Sequence, residues 1–252
     1  MIQKDKILKS ITIFGGLQFL SLAIGVIRSK LAAVWLGIHG VGFLGLIITT
    51  FNLLVGILNL GLPTSTIKHL SGKSGNSLYK NIKIVEILSV ILGLAGGLIC
   101  LVFARHLSEY TFKTTDYTWG FQLISVSLFF KQIASIYSSI IQSRVNLKQL
   151  ANANIVANLI GILFTLPLYY YFRIDGIIYN LLIVGLVEFI VFYIFFKKLK
   201  FEKAKINKKD FIRESKKILG DGFFFNLSSN LTLLSSYLLQ VFISYYGGMK
   251  IL

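Results

Sequence analysis

The chain predicts an all-α integral membrane protein: a polytopic bundle of about seven transmembrane helices with its N-terminus in the cytoplasm. Three observations carry that prediction. Of the 252 residues, 55% are hydrophobic and only 14% charged, with a mean hydropathy of +0.74, whereas a soluble domain is about 25% charged. Apolar runs of 20 or more residues recur along the chain with only 2 prolines, and such runs build helices; the alternating segments of a barrel are shorter and half polar. Basic residues gather in alternate connections between those runs.

The spans fall near residues 11–36, 41–62, 82–104, 117–142, 150–172, 174–196 and 218–246. About 20 apolar residues cross the ~30 Å hydrocarbon core. With the N-terminus inside, the cytoplasmic segments hold Lys4, Lys6 and Lys9, the group Lys68 to Lys83, the pair Arg144 and Lys148, and ten cations between Lys197 and Lys217. Together these are 19 of the 26 lysines and arginines, the asymmetry of the positive-inside rule. The net charge of +16 is therefore a topology signal and does not call for nucleic acid, although the basic loop can also meet anionic lipid. Cys100 is the single cysteine and excludes an intrachain disulfide; it reads as a small helix-packing residue. The first apolar run is too long for a signal-peptide core and lacks a small-residue cleavage site.

In the first helix, Gln18, Ser21, Gly25, Arg28 and Ala32 share one face at spacings of three and four, and the other faces are aliphatic. A cation within a span costs about 2.5–3.5 kcal/mol on insertion scales, so Arg28 is expected to face protein or a wet cavity. Lys30 lies about 200° away on an ideal helix and nearer the outer surface, where it can snorkel. The glycines from Gly37 to Gly40 make a short outer turn.

The second helix aligns Gly45, Thr49, Asn52, Gly56 and Asn59, and Pro63 ends it. Its asparagines either glue helices together or line a water path. The third carries Glu86, Ser89, Gly93, Gly96 and Cys100, and the segment from Arg105 to Asp116 reads as a solvated connector. In the fourth, Ser127, Lys131, Ser135, Ser138 and Gln142 share a face, and Lys131 lies half-way through the span, too deep to snorkel. The fifth opens with Asn152, Asn154 and Asn158, continues through Gly161 and Thr165, and carries Pro167 as an expected kink before an aromatic belt at Tyr169–Tyr171. Arg173 to Gly176 is a tight turn with Arg173 and Asp175 in water. The sixth is aliphatic and aromatic apart from Glu188 near mid-span. That carboxyl is protonated, paired with Lys131 or Arg28, or a proton-coupling group, and the residues alone leave the three open.

Residues 201–217 form a basic, amphipathic linker on the inner surface. The seventh span is rich in Ser and Asn, and its end at Val241–Gly248 echoes the layout of Leu31–Gly40. This weak repeat divides the chain into a six-helix lobe at 1–200, the linker at 201–217, and the first helix of a second lobe at 218–252. The expectation is a chain truncated from a two-lobed protein of twelve to fourteen helices. No Ser-His-Asp grouping, metal-ligand cluster or phosphate loop is present, and the histidines at 39, 69 and 106 are scattered. The reading is not that of an enzyme.

Several short motifs taken in order carry a family resemblance: Lys30-Leu-Ala-Ala-Val-Trp-Leu-Gly37 followed by Gly40-Val-Gly42, Asn59-Leu-Gly-Leu62 leading to Thr66-Ile-Lys68, Thr115-Asp-Tyr117, Asn152 to Gly161, and the Asp175-Gly176 turn. Across residues 9–200 the chain resembles the O-antigen and enterobacterial-common-antigen type of oligosaccharide flippase, within the multidrug/oligosaccharidyl-lipid/polysaccharide exporter superfamily. Lys30 falls where that family usually carries a cation. The resemblance implies a multi-pass protein of the bacterial inner (plasma) membrane that moves a polyprenyl-diphosphate-linked oligosaccharide to the outer leaflet. It implies no cofactor, with coupling to a sodium or proton gradient left open, and a polysaccharide polymerase with its chain-length machinery as possible partners. On this reading Arg28, Lys30 and Lys131 meet the diphosphate, and Gln18, Asn52, Asn59, Ser135, Asn158 and Glu188 are polar groups lining the passage. A non-transporting scaffold or inactive fragment, and a cation-coupled drug exporter of the same superfamily, are the alternatives.

Overall fold

A computed structural model describes the backbone of residues 2–201 and 206–247, and the side chains of residues 22–201 and 206–246. The described chain is all helix: α1 (Ile2–Leu58), α2 (Leu62–Leu70), α3 (Gly75–Val102), α4 (Ala104–Phe112), α5 (Thr118–Ser143), α6 (Leu147–Lys197) and α7 (Lys208–Gly247). Four of these are long and apolar enough to cross a membrane: Leu22–Leu58 of α1, then α3, α5 and α6.

α6 has 51 residues, or roughly 77 Å at ~1.5 Å per residue, over twice the bilayer core. It must fold back, and it does so at Arg173 (φ 52, ψ −123). α1 breaks at Gly37 (φ 67, ψ −175), a conformation essentially reserved for glycine. Each break takes one residue where the sequence reading assigned four. Gly176, expected in the turn, is helical and buried, and a Cβ there would overlap the Leu168 carbonyl. The two breaks meet, because Arg173 Nη1 donates to the Trp35 carbonyl at 3.0 Å and Trp35 sits edge-on to Tyr170. Arg173 and Asp175 are exposed, as read. Both α1 and α6 thus supply a pair of apolar rods, and with α3 and α5 there are six among the described residues.

Three details depart from expectation. Pro63 stands in the first turn of α2, where its missing N–H costs nothing, so the basic first inner loop is itself helical. The connector from Arg105 to Asp116 begins as α4, which buries Ala104, Ser108, Thr111 and Phe112 at helical spacing while Arg105, His106 and Glu109 stay exposed. Phe112 stacks on Phe43 with centroids 4.5 Å apart. Finally, α7 starts at Lys208, inside the basic stretch, and runs unbroken to Gly247. It is not among the four strongly apolar helices, since Asn226, Ser228, Ser229, Asn230, Thr232, Ser235 and Ser236 dilute its aliphatic content.

α7 lies antiparallel to the second half of α1. Ser65 donates to the Ile218 carbonyl at 2.6 Å, and Asn226 Nδ2 donates to the Gly56 carbonyl at 2.7 Å and to Asn59 Oδ1 at 3.2 Å. Gly61 and Gly222 make the crossing possible, because a Cβ on either would strike the other's backbone.

The apolar core forms two clusters. One, at the end carrying the basic segments, includes Ile82, Val85, Ile133, Ile136, Ile140, Val187, Phe192 and Ile218. The other, toward the Gly37 and Arg173 breaks, includes Ala32, Phe43, Leu46, Phe121, Ile124, Leu128, Tyr169 and Ile177. Along α5 the division falls between Leu128 and Ile133, and along α6 between Ile178 and Val187. Lys131 falls in the α5 gap, and Glu188 follows Val187 at the edge of the α6 gap.

Candidate functional site

At the depth where the two clusters part, α1, α5 and α6 enclose a cavity of about 250 Å³. Arg28, Ser29 and Ala32 reach it from the first rod of α1, and Leu44, Ile48, Phe51 and Asn52 from the second. Lys131 enters from α5, and Tyr169, Ile177, Asn180, Val184, Gly185 and Glu188 from the two rods of α6. The charged groups come from three separate stretches of chain and converge because the breaks at Gly37 and Arg173 turn the rods back on one another.

Lys131 Nζ is hydrogen-bonded to Glu188 Oε2. Their side chains remain 33% and 22% exposed, so the pair is open to the cavity and not sealed in the core. Of the three states left open for Glu188, the geometry holds the ion pair with Lys131. Arg28 is exposed, and among the described residues no carboxylate pairs with it. The cavity therefore presents one neutralised cation and one that is available. An unpaired guanidinium open to the cavity offers an anion a planar fork of N–H donors.

Behind these charges lies a hydrogen-bonded polar trio. Thr165 Oγ1 donates to Asn180 Oδ1 at 2.6 Å, and Asn180 Nδ2 donates to the Tyr169 hydroxyl at 3.3 Å. All three are buried, so the trio ties the rods of α6 together and fixes the Tyr169 ring at the cavity surface. On the other side, Ser127 Oγ donates to the Leu181 carbonyl at 2.7 Å. Gly185 lets α5 and α6 close at this level, since a Cβ there would lie 2.8 Å from Ser127 Oγ.

A family model described as "Polysaccharide biosynthesis protein" matches residues 7–252. The chain belongs to the polysaccharide biosynthesis protein family. No curated protein and no solved structure matches it. The family match and the four helices long and apolar enough to cross a membrane together make this a membrane-helical member of a polysaccharide biosynthesis family.

Within this polysaccharide biosynthesis protein, the residues singled out from the sequence separate into two groups. Arg28, Asn52, Lys131 and Glu188 come together around the cavity. Lys30 lies outside it, on an open groove with Leu22, Gly25, Val26, Arg28 and Ser29; the angle of two helical residues carries it to the far side of the rod. Asn59 belongs to the α1–α7 contact, where its Oδ1 accepts from Gly61 N at 2.7 Å and from Asn226. Ser135 Oγ donates back to the Gln132 carbonyl of its own helix at 2.7 Å, one turn below the cavity. Asn158 is exposed on α6 away from the cavity lining. The side chain of Gln18 lies outside the described residues.

Sequence reasoning missed Asn180 and placed Tyr169 in an interfacial belt. The signal for Asn180 was present, because Ile177, Asn180, Leu181, Val184 and Glu188 recur at helical spacing on one face of α6. No comparable signal marked Tyr169, since its burial depends on where α6 turns.

Proposed function

We propose that this member of the polysaccharide biosynthesis protein family is the cation-bearing lobe of a flippase, which carries a polyprenyl-diphosphate-linked oligosaccharide from the cytoplasmic to the outer leaflet of a bacterial plasma membrane. The observation that supports the reading is the meeting of Arg28, which has no carboxylate partner among the described residues, with the Lys131–Glu188 pair in a cavity at mid-depth of the bundle. A diphosphate brings two or more negative charges into a low-dielectric passage, and fixed cations offset that cost. Arg28 grips phosphate oxygens through its planar fork. Lys131 exchanges Glu188 for phosphate as the substrate arrives, and Glu188 reclaims it on release. Asn52 offers hydrogen bonds to sugar hydroxyls, and the polyprenyl tail stays in lipid between the rods.

No bond is made or broken. Transport follows from two lobes rocking about the cavity, of which residues 1–200 form one and α7 opens the other. The displaced Glu188 carboxylate is the natural point of coupling to a proton or sodium gradient. A surface-polysaccharide polymerase with its chain-length partners would receive the cargo.

The test is Arg28→Gln and Lys131→Gln in the intact carrier. Each is expected to lower export of the lipid-linked sugar at least about tenfold, the loss of one charge-assisted contact, with membrane insertion unchanged. Undiminished export by both variants would remove the two cations from the mechanism.

A further inference from the structure

The first turns of α7 carry a charge pattern that the central cavity does not use. All three carboxylates of this stretch are engaged within the protein. Asp210 meets Arg213 at 3.3 Å and Lys80 at 3.8 Å, Glu214 meets Arg213 at 3.3 Å, and Asp221 meets Lys68 and His69. Lys208, Lys209, Lys216 and Lys217 of the same helix are exposed. Among the described residues no carboxylate pairs with any of the four. Positive-inside orientation accounts for cations at this end of the molecule. It does not require that the acids be taken up inside while the lysines are left on the outside.

The helix sorts these groups by face. Counted at 100° per residue, Phe211, Ser215, Ile218 and Gly222 fall on one side; the last three are buried, and Phe211 packs on the apolar cluster. Lys209, Lys216 and Lys217 fall on the opposite side, with Lys208 at its flank. Farther along that outer side the cations give way, past Gly220, to Phe223, Phe224 and Leu227, which are 53%, 77% and 50% exposed. Beside this stretch Asn226 is bonded to Gly56 of the membrane-length rod Leu22–Leu58, so the exposed phenylalanines lie at the inner end of a membrane span. Lys216 and Lys217 precede Phe223 by about 9–10 Å along the axis, at ~1.5 Å per residue. A headgroup layer is about 5–8 Å thick, and a lysine stem bends several more ångströms to reach its phosphates.

We propose that this outer face of α7 docks on the cytoplasmic leaflet through anionic glycerophospholipids. Lys216 and Lys217 meet the phosphates, and Phe223 and Phe224 enter the acyl boundary. Lys208 and Lys209, about 12 Å farther out, add only a screened attraction. A helix face is convex and encloses no single molecule, so it suits a layer of headgroups. An acidic protein or a nucleic acid would answer the cations, but not the phenylalanines that continue the same face. The proposal does not rest on the transport reading.

The test uses the full chain in nanodiscs of equal parts phosphatidylcholine and phosphatidylglycerol, with native mass spectrometry counting the lipids retained on the released protein. The two leaflets of a disc are alike, so the orientation of the chain does not enter the readout. The wild type is expected to retain phosphatidylglycerol preferentially. Lys216→Gln/Lys217→Gln should lower that preference at least about tenfold, because one lysine at the surface strengthens the attraction about fivefold. Lys208→Gln/Lys209→Gln should lower it less. So should Lys197→Gln/Lys198→Gln, whose ammonium groups sit 4.6 and 4.4 Å over the Tyr193 and Phe195 rings. All six positions are exposed, and unchanged melting curves confirm that the variants fold. Equal retention of the two lipids by the wild type, or an undiminished preference in Lys216→Gln/Lys217→Gln, overturns the proposal. Equal losses in the three double variants overturn it too, since they would mean a diffusely basic end and no distinct face. Capture of the wild type by heparin without any lipid preference would assign the lysines to a polyanionic macromolecule instead.

Discussion

Two clusters of opposite charge tie this bundle together, and they differ chiefly in depth. Lys131 and Glu188 meet near the middle of α5 and of the second rod of α6, at the level where the two apolar clusters part. Lys68 and His69 of α2 meet Asp221 of α7 at 3.1 and 2.9 Å, at the end that carries the basic segments. Lys68 is 55% exposed, and also lies 4.8 Å from the Phe225 ring centre. The contact chemistry is the same, yet the consequences diverge. Water and salt screen the Lys68–Asp221 contact, so it orients two helices without committing much free energy, while the buried His69 ring adds a hydrogen bond to the same carboxylate. At mid-depth neither ion can be abandoned cheaply, so the pair persists until something equally charged replaces a member. Such a pair can serve as a switch that cargo operates, whereas the shallow cluster serves as a guide for docking.

The sharpest way to break this comparison is to strand one ion. Glu188→Leu leaves Lys131 uncompensated and is expected to cost roughly 1–3 kcal/mol, below the ~3–5 kcal/mol of a fully sealed pair because the cavity wets both groups. The double variant Lys131→Leu/Glu188→Leu should regain most of the loss. Thermal midpoints of the purified protein in detergent report both, and a double variant no more stable than the single would refute the depth argument. Of similar or smaller size is Gly185→Val, which drives a side chain against Ser127 and parts α5 from α6. Overpacking of this kind costs about 1–3 kcal/mol, and accessibility of a cysteine placed at Asn52 should change with it. The smallest effect belongs to Asp221→Asn, expected to shift the melting midpoint slightly at low salt and not at high salt. A large, salt-independent shift would erase the distinction between the two clusters.

Much of the architecture was legible from hydropathy alone, and the reason is visible at particular residues. The membrane forces every backbone polar group into helical hydrogen bonds, so apolar runs had to become helices. Both turn regions, at Gly37 and Arg173, lay within segments too long for one crossing. Helicity at α2 and α4 was hidden, because nine-residue helices mixing charge with a narrow buried stripe resemble ordinary loops in composition. The site was half legible. Arg28, Asn52, Lys131 and Glu188 stand out as polar groups among aliphatic neighbours, and the cavity collects them. Asn59 and Ser135 stand out equally, yet one joins helices and the other bonds to its own backbone.

What the amino-acid sequence determined by itself was the solvent, the helical class and the set of polar groups that cannot face lipid, because these follow from transfer free energies that act residue by residue. Which of those groups would meet was a matter for the tertiary structure alone. A break at Arg173 sets how the second rod of α6 lies against α5, and that packing, not any local preference, brings Glu188 to Lys131 and leaves Arg28 beside them.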